Sequence, residues 1–465
     1  MALSECRALL WYKESRSPIQ EAGRDFPVGG TAMGVVSVAG FEGLVTVFFS
    51  VFTAPTAGVF LTLVRGWVLC LGRPTIWRLY RVAGVTLASL WACARFFRAA
   101  RWELAELWRR LVVEVLMPWF APTGRLLVAG DDTTNDKFGK RVAFAALFRD
   151  AVHSTGSRAV FHRAHCWVVL TLQVRLPGCK HVLSLPVNAR IYRKEKDCDE
   201  KHPFRTRQQL LRHMAREFAS WVPGRVVELV ADGAYACADV AGNLPPQGVF
   251  TTRPRSDAVL YALPRKPRKP GRGRPRQRGK RLLTPARMAK RLRTWKLVKV
   301  VMYGEERERL VWTRQVLWWN VLRAVPVLLV ISRDPEGKEK DDFFITTDVE
   351  GDAAHVVETY ASRWGIEEVF REGKQLVGFG KVQGWRPRSV ERQAPFALFV
   401  LSLVKAWYVH EVALRGRLEE LPPTSAMLTA LRMAYWRQRI SRMSLSRREK
   451  CQILGALQTA LSTAA

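Results

Sequence analysis

The feature that most constrains the fold of this chain is a stretch of fifteen residues, 360–374, that contains no proline. Arg363, Glu367 and Lys374 lie three, seven and fourteen positions after Tyr360. At about 100° per residue, a helix brings these four side chains into a stripe roughly 60° wide. One carboxylate then lies among two cations and a phenol along about 21 Å of helix. This arrangement suits a metal ligand beside groups that bind a phosphate backbone.

Apolar residues of the same region fall on a different face of the helix, which can pack against a core. They are Ile366, Val369, Phe370, Leu376 and Val377. An alternative interpretation is that the charged stripe is the solvated face of an amphipathic helix, where mixed charges at this spacing are common. The upstream sequence bears on the choice between the two.

Two short apolar runs upstream each end in aspartate. Residues 125–130 predict a buried strand followed by Asp131 and Asp132, and residues 226–231 predict a second strand followed by Asp232. The carboxyl ends of strands are where α/β sheets commonly place ligand chemistry. Because adjacent strand residues face opposite ways, only one aspartate of the first pair can point into a given site. Taken alone, each motif also suits a turn or a helix cap.

The pattern Tyr-x2-Arg-x3-Glu-x6-Lys resembles, residue for residue, the signature around the catalytic glutamate of bacterial cut-and-paste insertion-sequence transposases of the DDE class. The first catalytic aspartate of that family is followed directly by Thr, as Asp132 is followed by Thr133. The Lys-x-Gly at 137–139 also resembles the family pattern. On this resemblance we take Asp132 as the first aspartate and keep Asp131 as the alternative. The resemblance covers roughly residues 70–410.

This resemblance implies an α/β fold in which a ribonuclease H-like catalytic domain is interrupted by a β-rich insertion. It implies that Asp132, Asp232 and Glu367 are the catalytic residues and hold two Mg²⁺ ions, for which Mn²⁺ can substitute. One metal would activate water, or later the 3′-hydroxyl of the element. The other would stabilise the leaving oxygen.

The same resemblance implies that Tyr360, Arg363 and Lys374 bind DNA phosphates. The expected partner is double-stranded DNA, both the ends of a mobile element and the target, bound by a homodimer. Two other classes stay open. A structure-selective nuclease could use the same carboxylates without joining strands, and an idle DNA-binding descendant would keep the charge and lose a carboxylate.

The overall charge favours a polyanionic partner. The formal net charge is +33 and the isoelectric point is about 10.6, which favours nucleic acid over an anionic membrane surface. A hydrophobic content of 48%, with 17 Trp and 22 Phe, excludes a mainly disordered chain. Eight cysteines without a C-x-x-C pair argue against a zinc module or a disulfide framework. They fit a reducing cytosol. The resemblance implies a bacterial cytoplasmic protein associated with the nucleoid.

A run without charged residues, Gly43–Val64, raises the question of a membrane span. Its 22 residues are enough to cross a bilayer. It contains Pro55, five Ser or Thr residues and two glycines, and Arg65 follows at once. We therefore expect a buried helical domain here and no membrane partner.

The chain is predicted to comprise five parts. They are a helical N-terminal domain for DNA binding or dimer contact (1–120), the first part of the ribonuclease H-like domain (121–255), a basic arm with the β-rich insertion (256–341), the second part with the catalytic helix (342–410) and a helical C-terminal tail (411–465). Other patterns indicate a hairpin (161–176 and 181–192), a helix (206–221), a strand (248–255), a β-rich region (295–331) and a strand (343–347).

The basic arm, Pro264–Arg281, carries ten Lys or Arg in eighteen residues. Its Pro and Gly content predicts an extended, mobile segment. The sequence from Arg272 to Pro275 resembles the core of a minor-groove A·T hook. Because these four residues lie in a uniformly basic run, we favour a tether without sequence preference.

Overall fold

The computed structural model of the chain describes residues 36–84, 88–150, 153–155, 157–264, 276–413 and 420–463. Residues 265–275 of the predicted basic arm, including the hook-like sequence, lie outside the described residues. The first 35 residues of the predicted N-terminal domain also lie outside them.

Ten strands of the described chain form one mixed sheet, in the order β2-β3-β1-β5-β6-β10-β9-β8-β7, with β4 beside β3. The bounds are β1 Leu126–Asp136, β2 Ala146–Arg149, β3 Phe161–Arg175, β4 Val182–Tyr192, β5 Val227–Ala231, β6 Gly248–Thr252, β7 Lys296–Met302, β8 Glu305–Leu317, β9 Pro326–Arg333 and β10 Asp342–Thr346. Strands β1, β5 and β6 run parallel, and every other pairing between these strands is antiparallel.

Helices cover the faces of the sheet and form most of the described residues before β1 and after β10. They are α1 Val38–Thr46, α2 Ala54–Leu69, α3 Ile76–Ala83, α4 Leu90–Arg98, α5 Leu104–Arg110, α6 Met117–Phe120, α7 Arg207–Trp221, α8 Ala238–Ala241, α9 Pro285–Ala289, α10 Trp319–Leu322, α11 Ala353–Ser362, α12 Trp364–Gln375, α13 Pro387–Tyr408, α14 Thr424–Ser441 and α15 Arg447–Thr463. A π-helical segment, Leu111–Leu116, joins α5 to α6.

The uncharged run at 43–64 is divided between α1, a 3-10 turn and α2, and it packs into the core. Phe60 of α2 is fully buried and meets Phe396 of α13 edge to face, with ring centroids 5.8 Å apart. The expectation of a buried helical region is confirmed for the described part. Among the described helices, none combines the length and the apolar character that a bilayer crossing requires.

The mixed α/β class is confirmed, as are most of the predicted elements. The predicted hairpin is β3 and β4, and helix α7 begins at Thr206 with a reciprocal capping box to Gln209. The β-rich region forms β7, β8 and β9, which extend the same sheet through β10 and β6. The division of the chain into five domains stays a prediction.

The stretch that carries the charged stripe is two helices rather than one. Helices α11 and α12 meet at Arg363, whose backbone keeps right-handed helical angles of φ −54° and ψ −30°. The amide of Ile366 donates to the carbonyl of Arg363 at 3.0 Å, a tighter turn than the α-helical i to i+4 pattern. The apolar residues Ile366, Val369 and Phe370 are buried, as predicted.

Candidate active site

Strand register brings two aspartates to the same level of the sheet. In the parallel pairing of β1 with β5, Gly130 lies opposite Ala231. Asp131 directly follows Gly130, and Asp232 directly follows Ala231. Strand β5 ends there, and Asp232 caps a 3-10 turn by accepting from the amide of Ala234 at 2.9 Å.

The position before Asp131 is a glycine, and the Leu211 side chain of α7 occupies the space that a side chain there would need. A Cβ atom on Gly130 would fall 2.2 Å from Cδ1 of Leu211. The close approach of α7 therefore needs the missing side chain. This contact positions β1 under the helix at the point where the aspartates begin.

Asp131 is largely buried, and its oxygens are held from two directions. Oδ2 accepts from Nη1 of Arg363 at 3.1 Å, and Oδ1 accepts from the backbone amide of Asp132 at 2.8 Å. Burial and the negative charge of Asp232 raise the pKa of Asp131 to about 7. The two carboxylates therefore lie close enough to repel each other.

Asp132 lies in different surroundings, as expected for the adjacent strand position. Its Oδ1 accepts from the hydroxyl of Tyr235 at 2.8 Å, and its Oδ2 accepts from Nη1 of Arg207 at 2.8 Å. The thiol of Cys166 lies 3.5 Å from the same Oδ2. The sequence pattern favours Asp132, whereas the aspartate that contacts Arg363, at the junction of α11 and α12, is Asp131.

Arg363 links Asp131 to the glutamate of the signature. Its Nη2 donates to Oε1 of Glu367 at 2.7 Å, so one guanidinium bridges two carboxylates. The Arg363 side chain is only 13% exposed, and its Nε has no hydrogen-bond partner among the described residues. Among the described residues, no group of three or more His, Cys, Asp or Glu side chains is arranged to hold a metal ion.

The other two residues of the signature also contact the sheet. The Tyr360 ring packs 4.9 Å from the ring of Phe344 on β10, and burial raises its pKa. Lys374 Nζ donates to Oγ1 of Thr133 on β1 at 2.8 Å, and burial lowers the pKa of this lysine. Both side chains are half-buried, which distinguishes this face from a simply solvated one.

Sequence reasoning gave no role to three residues around Asp131 and Asp232. Tyr235 lies only three positions after Asp232, and this short spacing could have indicated a place beside the site. Thr133 enters the sequence prediction only as the residue after Asp132, and in the structure it accepts the hydrogen bond from Lys374. Arg207 reaches Asp132 from the first turn of α7, and no local pattern indicates that contact.

One of three comparisons with known proteins assigns the chain to a family. Residues 47–319 match the model of a family described as DDE superfamily endonuclease, a segment that includes β1 and β5 and ends before Glu367. A cryo-EM structure of a piggyBac transposase synaptic complex with hairpin DNA aligns with a TM-score of 0.37 and 13% identity, over 90% of this chain and 81% of that one. No curated protein sequence matches the chain significantly. Because the family match extends over more than half of its residues, the chain belongs to the DDE superfamily of endonucleases.

Proposed function

We propose that this chain is a DNA transposase that cuts at the ends of a mobile element and joins them to target DNA by two-metal phosphoryl transfer. The observation that carries the proposal is the link from Asp131, level with Asp232 on the neighbouring strand, through Arg363 to Glu367. Membership of the endonuclease superfamily supports DNA cleavage. The net charge of +33 supports a polyanionic substrate.

We propose Asp131, in place of Asp132, as the first catalytic carboxylate, acting with Asp232 and Glu367. Both carboxylate oxygens of Asp132 already accept hydrogen bonds from Tyr235 and Arg207. Moving Asp132 towards Glu367 would break both contacts. Asp131 needs no such change, since Arg363 already connects it to Glu367.

A ribonuclease H-like core is part of the same proposal. The strand order β4-β3-β1-β5-β6, with β1, β5 and β6 parallel and β3 antiparallel, supports it. Asp131 lies on the central strand β1, Asp232 directly follows the parallel strand β5, and the glutamate is on a helix packed against β1 and β4.

The donor set fits hard divalent cations. Carboxylate oxygens are the protein ligands that Mg²⁺ and Mn²⁺ prefer. Burial and the negative charge of Asp232 raise the pKa of Asp131, and a bound cation would offset both effects. Held by Asp131, Asp232 and Glu367, two such ions would activate the attacking oxygen and stabilise the leaving one.

The cations of the signature would bind the DNA backbone. Arg363, released from the carboxylates, can bind a phosphate through two parallel hydrogen bonds, and its unpaired Nε offers a further donor. Lys374 adds a point charge eleven residues further along α12, beside Thr133. Tyr360 contributes a hydroxyl donor and its packing under Arg363. We expect the DNA-bound form to be a homodimer acting in the bacterial cytoplasm.

The test is a joining assay with the full-length chain and a plasmid that carries the DNA flanking its coding sequence. Mg²⁺-dependent cuts and joined products are expected, and Glu367→Gln should abolish both while DNA binding persists. Glu368→Gln, a neighbouring carboxylate on the same helix, is the matched control. Cuts without joined products would favour a structure-selective nuclease. Binding without any cut would favour an idle descendant.

A further inference from the structure

The turn that follows β1 carries a phenylalanine whose side chain is exposed to solvent. Phe138 is 91% exposed, the largest exposure among the large hydrophobic residues of the described chain. Single exposed apolar residues are ordinary on protein surfaces. What distinguishes Phe138 is that the backbone carrying it is fixed on both sides.

Lys137 anchors the turn from within. This buried side chain donates from Nζ to the carbonyl of Gly380 at 2.8 Å and to that of Val382 at 3.2 Å. Burial and the nearby charge of Arg73 lower its pKa to about 8. Placing a cation in such surroundings is unfavourable, so the anchoring contacts must offset that cost.

Arg163 on β3 holds the other side of the turn. Its guanidinium donates to the carbonyls of Gly139 and Lys140, and its own carbonyl accepts from the amide of Lys137 at 2.9 Å. The backbone on both sides of Phe138 is thus fixed while its ring makes no packing contact with the core. A side chain presented in this way pays little entropy on binding.

The surface around Phe138 combines cations with apolar groups. Lys140 and Arg141 follow in the chain and are exposed. On the adjoining ribbon of β2 and β3, Leu147 pairs with Arg163, and two residues along each strand Arg149 pairs with Phe161. Because the strand period is two, these four side chains lie on one face of the ribbon. Leu147 is 64% exposed and Phe161 is 59% exposed.

This surface lies within reach of a duplex held at the candidate active site. Phe138 is seven residues after Asp131 on one strand and its turn, so the two are at most about 23 Å apart. One turn of B-DNA spans about 34 Å. A duplex cleaved beside Asp131 can therefore meet Phe138 within roughly seven base pairs of the cut.

We propose that Phe138 is a DNA-stacking residue that enters the duplex several base pairs from the cleavage site and stacks on a base that has left the helical stack. The inference rests on the proposed function, since it takes DNA as the substrate. Cations beside an exposed ring fit this partner, because the cations hold phosphates while the aromatic face stacks on any base. A second copy of the chain fits less well, since two such cationic surfaces would repel each other.

The test measures binding alone, without divalent metal. Fluorescence anisotropy would compare the full-length chain on 30-base-pair duplexes of mixed sequence that are fully paired or carry one mismatched pair at positions 4 to 9 from an end. A mismatch lowers the cost of unstacking. The unmodified chain should prefer one or two of the mismatched duplexes by roughly tenfold. Phe138→Ala should lose that preference, and Phe138→Trp should keep it.

The matched control is Trp91→Ala, which removes another exposed aromatic ring, on α4, and should keep the positional preference. Melting temperatures of both alanine variants should equal that of the unmodified chain, because neither ring is packed in the core. The inference is overturned if Phe138→Ala retains the preference, if the unmodified chain has none, or if the substitution changes only the oligomeric state. A chain that cleaves DNA while Phe138→Ala behaves normally refutes this inference and leaves the proposed function standing. A chain that binds DNA through Phe138 and never cleaves it supports the stacking role and refutes the proposed function.

Discussion

Nη1 of Arg363 lies 3.1 Å from Oδ2 of Asp131, on a strand 232 residues earlier in the chain. The same guanidinium contacts Glu367, so the arginine of the Tyr360–Lys374 sequence pattern is also the charge partner of two proposed metal ligands. Arg363 and a divalent cation would then compete for the same carboxylates.

We predict that Arg363→Ala binds Mn²⁺ more tightly than the unmodified chain does. Removing the guanidinium leaves two acids without their cation, and a gain of about tenfold, or roughly 1.4 kcal/mol, is expected. Isothermal titration calorimetry with Mn²⁺ alone measures it. Arg207→Ala is the matched control, because Arg207 pairs with Asp132 at 2.8 Å and should leave the Mn²⁺ affinity unchanged. Equal affinities for all three proteins would contradict the competition.

The two adjacent aspartates should behave differently when each is changed to asparagine. Asp131→Asn is predicted to lose Mn²⁺ binding and DNA cleavage with little loss of stability, because its pKa is already raised by burial. Asp132→Asn removes charge-assisted bonds to Arg207 and Tyr235, and a loss of about 1.5–3 kcal/mol in unfolding free energy is expected. Urea denaturation and Mn²⁺ titration of both variants check this. If Asp132→Asn alone loses the metal, the choice made from the sequence was right.

This pair shows where sequence reasoning reaches its limit. The apolar runs before Asp131 and Asp232 were enough to predict β1 and β5, because a short buried run bounded by polar residues is a local signal. Which of two adjacent aspartates faces Glu367 depends on how β1 pairs with β5 and on a helix far along the chain. The threonine after Asp132 carries no information about that pairing.

Long-range packing also explains two features of the fold that the sequence did not predict. The β-rich region was visible as alternating residues, but its place in the same sheet depends on pairings of β9 with β10 and of β10 with β6. The junction at Arg363 was not visible, since Tyr360 to Lys374 has no proline and its spacing fits one helix. In the structure the chain at Gly365 packs tightly on β3 and β4, next to that junction.

Gly365→Ala should therefore destabilise the fold. A Cβ atom there would lie 2.8 Å from Oε1 of Gln173 and 2.9 Å from Cβ of Ser184, so α12 must move away from the sheet. A loss of about 1–3 kcal/mol is expected from overpacking, measured by urea denaturation. Gly455→Ala on α15 is the matched control, because no atom lies within 4 Å of the added Cβ. There the usual helix preference for Ala should raise stability by roughly 0.5–1 kcal/mol.

Lys374→Met is predicted to weaken DNA binding uniformly across sequences. It removes one cation beside β1 and no proposed metal ligand, so the slope of log affinity against log salt should fall by about one. Anisotropy titrations at several salt concentrations measure that slope. Lys338→Met is the comparison, since Lys338 is paired with Glu336 in the turn after β9. An unchanged slope for Lys374→Met would favour the solvated-face interpretation of the helix.

The pH dependence of stability should reveal a partly buried ion pair between α11 and β5. His355 of α11 lies 2.9 Å from Oε2 of Glu228, whose side chain on β5 is 1% exposed. The hydrogen bond to Glu228 raises the pKa of His355 above its ordinary 6.5. Although burial opposes it, the bond from His355 lowers the pKa of Glu228 below its ordinary 4.5.

The two shifts act in opposite directions as the pH changes. The contribution of His355 is fully present below about pH 6.5 and is lost as the pH rises through its raised pKa. The contribution of Glu228 is present above about pH 4.5 and is lost as the pH falls through its lowered pKa. His355→Gln should therefore lower the melting temperature most between about pH 4.5 and 6.5, and less at pH 8.

Arg125, 3.2 Å from Glu228, still compensates the acid in this variant, so the fold should survive. His153→Gln, at a ring that is 74% exposed, serves as the control. A loss of stability for His355→Gln that is equal at every pH would show that the contact acts through packing and not through charge.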